Sequence, residues 1–315
     1  MNSGKTSLLA DDVRLSRIKT LVDLQSSARQ LFIKPKQKTA GVMAGSHSSR
    51  FRGRGMDFSE SRVYQPGDDI RAIDWRVTAR TGTTHTKIYT EERERPVFFV
   101  VDNSHSMQFA TKVAFKSVIA QRLAALLAWA SFQHGDRVGG QVFSDQQQIE
   151  VQAKGGKAGV LRFLHCLSQA INETETHSTN SLGNATKRLR YFLRPGSLLF
   201  VISDFLHWDE QSQRQFSYLS HHCDVVFLML YDPIEAEAPP AGDYLISDGH
   251  RFAHWNTRQT KQVNAVTQLF QQRKQQIQKF CQQHAAFFLD VATNDNLVER
   301  LHRHLVLPMN LYKSR

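Results

Sequence analysis

From Pro96 to Asp102 the chain reads PVFFVVD, an apolar run without alternation. A strand with one wet face alternates apolar and polar residues. One that is apolar throughout is buried on both faces, as in a parallel sheet sandwiched between helices. SLLFVIS at 197–203, DVVFLMLYD at 224–232 and AFFLDV at 286–291 have the same texture. Segments with helical spacing lie between or after these runs, at 112–134, 157–171, 182–193, 209–221, 257–283 and 295–305, the first with an Ala/Leu-rich face. Two further strands are expected at 137–143 and 148–152, joined through Ser144-Asp145. Strands alternating with helices predict a doubly wound, mostly parallel α/β sheet.

The remaining segments divide around that core. Residues 1–35 form an N-terminal helical segment, with Val13, Ile18, Leu21, Val22 and Leu24 at helical spacing across 11–32 before Pro35. Residues 36–95 form a small β-rich module. It opens on a Gly/Ser/Lys/Arg loop and continues through the turn residues Pro66-Gly67-Asp68-Asp69 and Gly82 to the strand-like THTKIYTEE. The α/β domain takes 96–235 and 257–315. The insertion at 236–256 reads as a hairpin around Asp248-Gly249, leaving the core to pack near the β module.

Bulk properties narrow the function classes. The 41% hydrophobic content is that of a globular chain. Cys166, Cys223 and Cys281 are odd in number and widely spaced, which excludes a disulfide framework and a Cys-based zinc site. The N-terminus lacks an apolar signal core, and the apolar stretches fall short of the roughly 18 residues of a membrane span. A cytoplasmic location is therefore expected. A net charge of +11 allows nucleic-acid binding, but the basic residues are scattered and a solvated basic surface is the simpler reading.

In open α/β sheets, ligands sit at the carboxyl ends of strands, near the reversal of strand order. Asp102-Asn103-Ser104-His105-Ser106 follows the first buried strand and Asp204 follows SLLFVIS. The turn before the helix at 182 supplies Thr179, flanked by Ser178 and Ser181, either of which could serve in its place. Asp102, Ser104, Ser106, Thr179 and Asp204 together offer oxygen donors only, the set a hard cation takes. Mg²⁺ is expected, with Ca²⁺ or Mn²⁺ as alternatives. Taken singly, each of these residues could be a helix cap or a turn residue.

These five residues resemble the D-x-S-x-S…T…D adhesion signature of von Willebrand A domains. The segment from Ser61 through SRVYQPGDDIRAIDWRVTAR and on into VFFVVDNSHSM resembles the family catalogued as domain of unknown function 58. The likeness runs over nearly the whole chain from about residue 20. It implies a von Willebrand A-like fold, no established enzymatic activity, and partnership with MoxR-type AAA+ ATPases. Many relatives carry two membrane-spanning helices near the N-terminus, and this sequence departs from them. The expected function is a metal-dependent protein-interaction module, not an enzyme, gripping a partner's carboxylate. The alternatives are an Mg²⁺-dependent hydrolase using the same carboxylates and a basic nucleic-acid-binding protein.

The charges of Asp68, Asp69, Arg71, Asp74, Arg76 and Arg80 are interleaved with Ile70, Ile73 and Trp75. Arg–carboxylate forks forming an internal scaffold are the expected arrangement, with a partner-binding face as the alternative. Gly4-Lys5-Thr6 lacks the glycine and strand that a P-loop needs. His221-His222 and His302/His304 read as exposed histidines.

Overall fold

The computed structural model describes residues 16–31, 56–91, 94–145, 147–169, 182–247, 252–258 and 260–306. The chain divides into two compact units, residues 37–94 and the remainder.

In the smaller unit, β1 (Met56–Val63) pairs antiparallel with β2 (His85–Glu91). Between them lie a single 3-10 turn, Ile70–Ala72, and a helix, Trp75–Thr81. This helix was not expected in a β-rich module, although its end signals are in the sequence. Asp74 caps it by accepting from Arg76 N and Val77 N, and Gly82 ends it at φ 73°. The expected Arg–carboxylate forks do not form as drawn. Asp69 accepts from Arg71 N at 3.0 Å, and Asp74 also accepts from Ser61 Oγ at 3.0 Å. Asp68 pairs with Arg62 at 2.7 Å. The carboxylates turn inward onto backbone and neighbours because a short helix must satisfy its free N–H groups.

The larger unit is built on a six-stranded sheet. Its strands are β3 (Pro96–Asp102), β4 (Arg137–Phe143), β5 (Gln148–Lys154), β6 (Leu198–Ser203), β7 (Asp224–Tyr231) and, after an excursion, β10 (Phe287–Ala292). That excursion is the antiparallel pair β8 (Asp243–Ser247) and β9 (Phe252–Asn256), a separate two-stranded sheet that groups with this unit. Residues 248–251, at its expected turn, lie outside the described residues. The order is β10-β7-β6-β3-β4-β5, all parallel except the edge strand β5. The doubly wound, mostly parallel α/β sheet expected from the apolar runs is what forms.

Helices cover both faces. On one lies Lys116–Gln133, whose alanines 120, 124, 125, 128 and 130 are all buried and let it sit close to the strands. Beside it is Gly156–Ser168, and Phe99 stacks between Phe163 and Phe200 at 5.0 and 5.2 Å. Gly140 makes room for this, since a Cβ there would stand 2.4 Å from the Phe163 ring. On the other face, Glu210–His222 and Thr260–Gln283 pack around Phe216, Phe227 and Phe280. The single helix expected at 182–193 is two short ones, Leu182–Thr186 and Leu189–Phe192.

The N-terminal segment groups with the larger unit. Its helices Ile18–Asp23 and Gln25–Ala28 place Leu21, Ala28 and Leu31 in the main core, and Trp129 Nε1 donates to Leu21 O at 3.0 Å. Of the apolar stripe, Leu21 is buried, Val22 and Leu24 pack partly buried against the core, Ile18 is 41% exposed, and Val13 lies outside the described residues. Leu21→Ala should cost roughly 2–5 kcal/mol in a urea unfolding series, the range for a buried leucine. A loss under about 1 kcal/mol, the size of a surface change, would show that this segment is not part of the core.

Candidate functional site

The strand order reverses between β3 and β6. From β3 the chain builds outward to β4 and β5 on one side, and from β6 to β7 and β10 on the other. Val101 lies opposite Ile202, so Asp102 and Asp204 leave the sheet side by side at this switch point.

Asp102, Ser104 and Asp204 are buried, and Ser106 is half-buried. Asp102 Oδ1 accepts from Ser104 N at 2.9 Å and Oδ2 from Ser203 Oγ at 2.5 Å. The Ser203 hydroxyl also accepts from Phe205 N at 2.9 Å, holding Phe205 at φ 53°, an uncommon conformation for a residue with a Cβ. The turn carrying Ser104 and Ser106 is pinned by buried Met107 and by His105 N donating to Asp145 at 2.9 Å. Their hydroxyl oxygens stand 3.2 Å apart. Four of the five expected residues are therefore brought to one place. Thr179, with Ser178 and Ser181, lies outside the described residues.

One member of the site was missed. Lys116, 2% exposed, reaches Asp204 at 2.8 Å and Glu235 at 3.2 Å. Arg273 lies 3.8 Å from Glu235 on its other side. The signal was present in the sequence. Lys116, Ala120, Leu123, Ala124 and Leu127 recur at core spacing on one helix, and a lysine at such a position needs a buried partner. Glu235 Oε2 accepts from Asp232 N at 2.8 Å, and Asp232 takes Thr111 N, Thr111 Oγ1 and Thr293 Oγ1. The loop leading into Lys116 is thereby tied to the ends of β7 and β10.

The two carboxyls have opposite electrostatics. Burial and the neighbouring Asp204 charge push Asp102 up to about 6, against the hydrogen bonds from Ser203 and Ser104. Burial would also raise Asp204, but the Lys116 ammonium, the Leu206 N–H and Arg273 outweigh it and hold the carboxyl below its usual range. Lys116 is in turn held above the usual lysine value, because Asp204 and Glu235 outweigh its burial.

Three carboxylates thus meet two cationic side chains, and the uncompensated negative charge rests on Asp102. Among the described residues its hydrogen-bond partners are neutral donors, Ser104 N and Ser203 Oγ. Among the described residues, no group of three or more His, Cys, Asp and Glu is placed to hold a metal ion. The donors here are two carboxylates and two hydroxyls. All are oxygen, with one charge unmet, and this fits a hard divalent cation.

One family model, described as Protein of unknown function DUF58, matches residues 60–279. The chain belongs to that family. An uncharacterized protein of Mycobacterium tuberculosis is 31% identical over 228 residues, spanning 71% of this chain and 70% of the relative. Among solved structures, an aerotolerance-related membrane protein from Bacteroides fragilis is 17% identical with a TM-score of 0.46, covering 69% of this chain and 99% of that one. A von Willebrand factor type A protein from Catenulispora acidiphila is 10% identical with a TM-score of 0.39, covering 72% and 45%.

The cytoplasmic location expected from the sequence is corrected here. Structural neighbours of this DUF58 chain include proteins described as membrane proteins, and an absent apolar span does not exclude association with a membrane. Among the described residues no helix is long and apolar enough to cross a bilayer.

The raised Asp102 pKa makes a signed prediction for the chain in EDTA. A carboxyl raised on folding leaves stability intact at low pH and lowers it as pH climbs through the folded value. Asp102 alone should lower the stability of wild type by roughly 2–3 kcal/mol between about pH 4 and pH 7, the equivalent of some two pH units, against the opposite contribution of carboxyls such as Asp204 that are held low. Asp102→Asn removes the buried charge and should lack most of this loss in denaturant melts. Parallel pH profiles for the two proteins would refute the assignment.

Proposed function

We propose that this DUF58 protein is a metal-dependent protein-interaction module. The observation that carries the reading is the pairing of Asp102 and Asp204 at the switch point, beside the Ser104 and Ser106 hydroxyls. Ser104 and Ser106 would hold the cation directly, with Thr179 as the expected third hydroxyl. Asp102 and Asp204 would balance its charge, Asp102 most of all because Asp204 already has Lys116. Mg²⁺ suits these donors best, with Ca²⁺ or Mn²⁺ as substitutes. When bound, the cation supplies an open position for a carboxylate from another protein, a charge-assisted contact in a partly desolvated setting.

The site is read as binding without turnover. Lys116 is committed to its ion pairs with Asp204 and Glu235, which speaks against it as a general base. The partner implied by the family resemblance is a MoxR-type AAA+ ATPase, with assembly or remodelling of protein complexes as the shared task. Nucleic acid is not the expected ligand of this site, which presents acidic groups.

Pull-down of a MoxR-type ATPase from the same organism provides the test. Capture should require Mg²⁺, disappear in EDTA, and fall at least about tenfold in Ser104→Ala with the fold unchanged by circular dichroism. Capture that ignores both EDTA and Ser104→Ala would sink the proposal.

A further inference from the structure

The smaller unit carries a second feature, independent of the metal reading. With Asp68, Asp69 and Asp74 engaged by backbone N–H groups, Arg62 and Ser61, the guanidinium groups of Arg71, Arg76 and Arg80 have no hydrogen bond or ion pair to any described residue. All three side chains are exposed. Large apolar groups of the same unit are exposed too: Trp75 is 70% exposed, Ile70 67% and Val63 58%. Of the other tryptophans, Trp129 and Trp255 are buried and Trp208 is half-buried.

Arg71, Trp75, Arg76 and Arg80 lie within ten consecutive residues. Trp75, Arg76, Ala79 and Arg80 recur along the exposed face of the helix Trp75–Thr81. Asp74 fixes the start of that helix through its cap bonds, and its N–H donates to His85 O at 2.8 Å. His85 pairs with Val63 across the sheet, so Val63 lies at the strand end next to the helix. An indole left in water beside unpaired guanidiniums is the composition of an interface hot spot, since both gain most when desolvated against a partner.

We propose that this face docks an acidic segment of another protein. Its carboxylates would pair with Arg71, Arg76 and Arg80, and an apolar side chain would pack on Trp75 and Ile70. Charge complementarity selects an acidic occupant, and bidentate Arg–carboxylate pairing gives it direction. A single-stranded nucleic acid could also stack on Trp75. Ile70 and Val63 offer nothing to a base or phosphate, however, and the exposed Asp69 carboxylate repels a polyanion at close range.

The test pans a random peptide library on the full chain and, in parallel, on Trp75→Ala and Arg76→Glu. Peptides enriched on wild type alone should carry several Asp or Glu residues around a Leu or Phe. A labelled representative should shield Trp75 from acrylamide quenching. Its affinity should fall at least about tenfold in either variant and stay within about twofold in Lys157→Glu, an exposed control of equal charge change. Three outcomes would overturn the proposal: no peptide distinguishing wild type from the variants, enriched peptides without acidic bias, or an oligouridine probe that binds this face where acidic peptides do not.

Discussion

Lys116 carries an ammonium group into the interior at the carboxyl end of the sheet, and the arrangement of the site depends on it. A buried charge of this kind is costly unless paired, and removing one member of such a pair typically costs about 3–5 kcal/mol. The pairing with Asp204 and Glu235 joins the helix after the Asp102 turn to the loops after β6 and β7. It also sets the charge pattern. Asp204 is answered from within the protein, while Asp102, two residues before Ser104, is answered only by neutral hydrogen-bond donors. Among the described residues, the fold therefore presents one negative charge with no salt-bridge partner, next to two hydroxyls, at the position where open α/β sheets bind ligands.

Much of this was legible in the sequence, for a physical reason. Strands buried on both faces must be apolar at every position, so PVFFVVD, SLLFVIS and DVVFLMLY declare themselves. Residues that follow such strands fall on one rim, which is why the sequence alone groups Asp102, Ser104, Ser106 and Asp204. Lys116 was missed because helical periodicity was read for its apolar members alone. A lysine in the core register is the exception that pattern reading passes over. The role of residues 16–31 was missed for a related reason. An amphipathic stripe says that a helix must be covered and does not say by what.

The charged segment of the smaller unit went wrong in an instructive way. Alternating Asp and Arg suggested mutual forks, yet short elements have more free backbone N–H groups than partners, and aspartates are well shaped to serve them. Once Asp69 and Asp74 are so used, the arginines are released to solvent beside Trp75. The result is a chain whose two units differ in character. The α/β unit holds a recessed acidic site, and the smaller unit displays a basic, partly apolar face. Its overall charge of +11 is thus no guide to either surface.

The central claim is that the Asp102–Asp204 rim is a cation site whose charge is partly met by Lys116. Mn²⁺ binding, followed by electron paramagnetic resonance on wild type and on Lys116→Met, tests it most directly. Removing the ammonium leaves Asp204 free to share the cation. A unit charge a few ångströms away is worth several kcal/mol even at a moderate dielectric, so affinity should rise at least about tenfold. A single site on wild type that tightens in Lys116→Met is the predicted result. No saturable site, or one whose affinity ignores Lys116, would contradict the account.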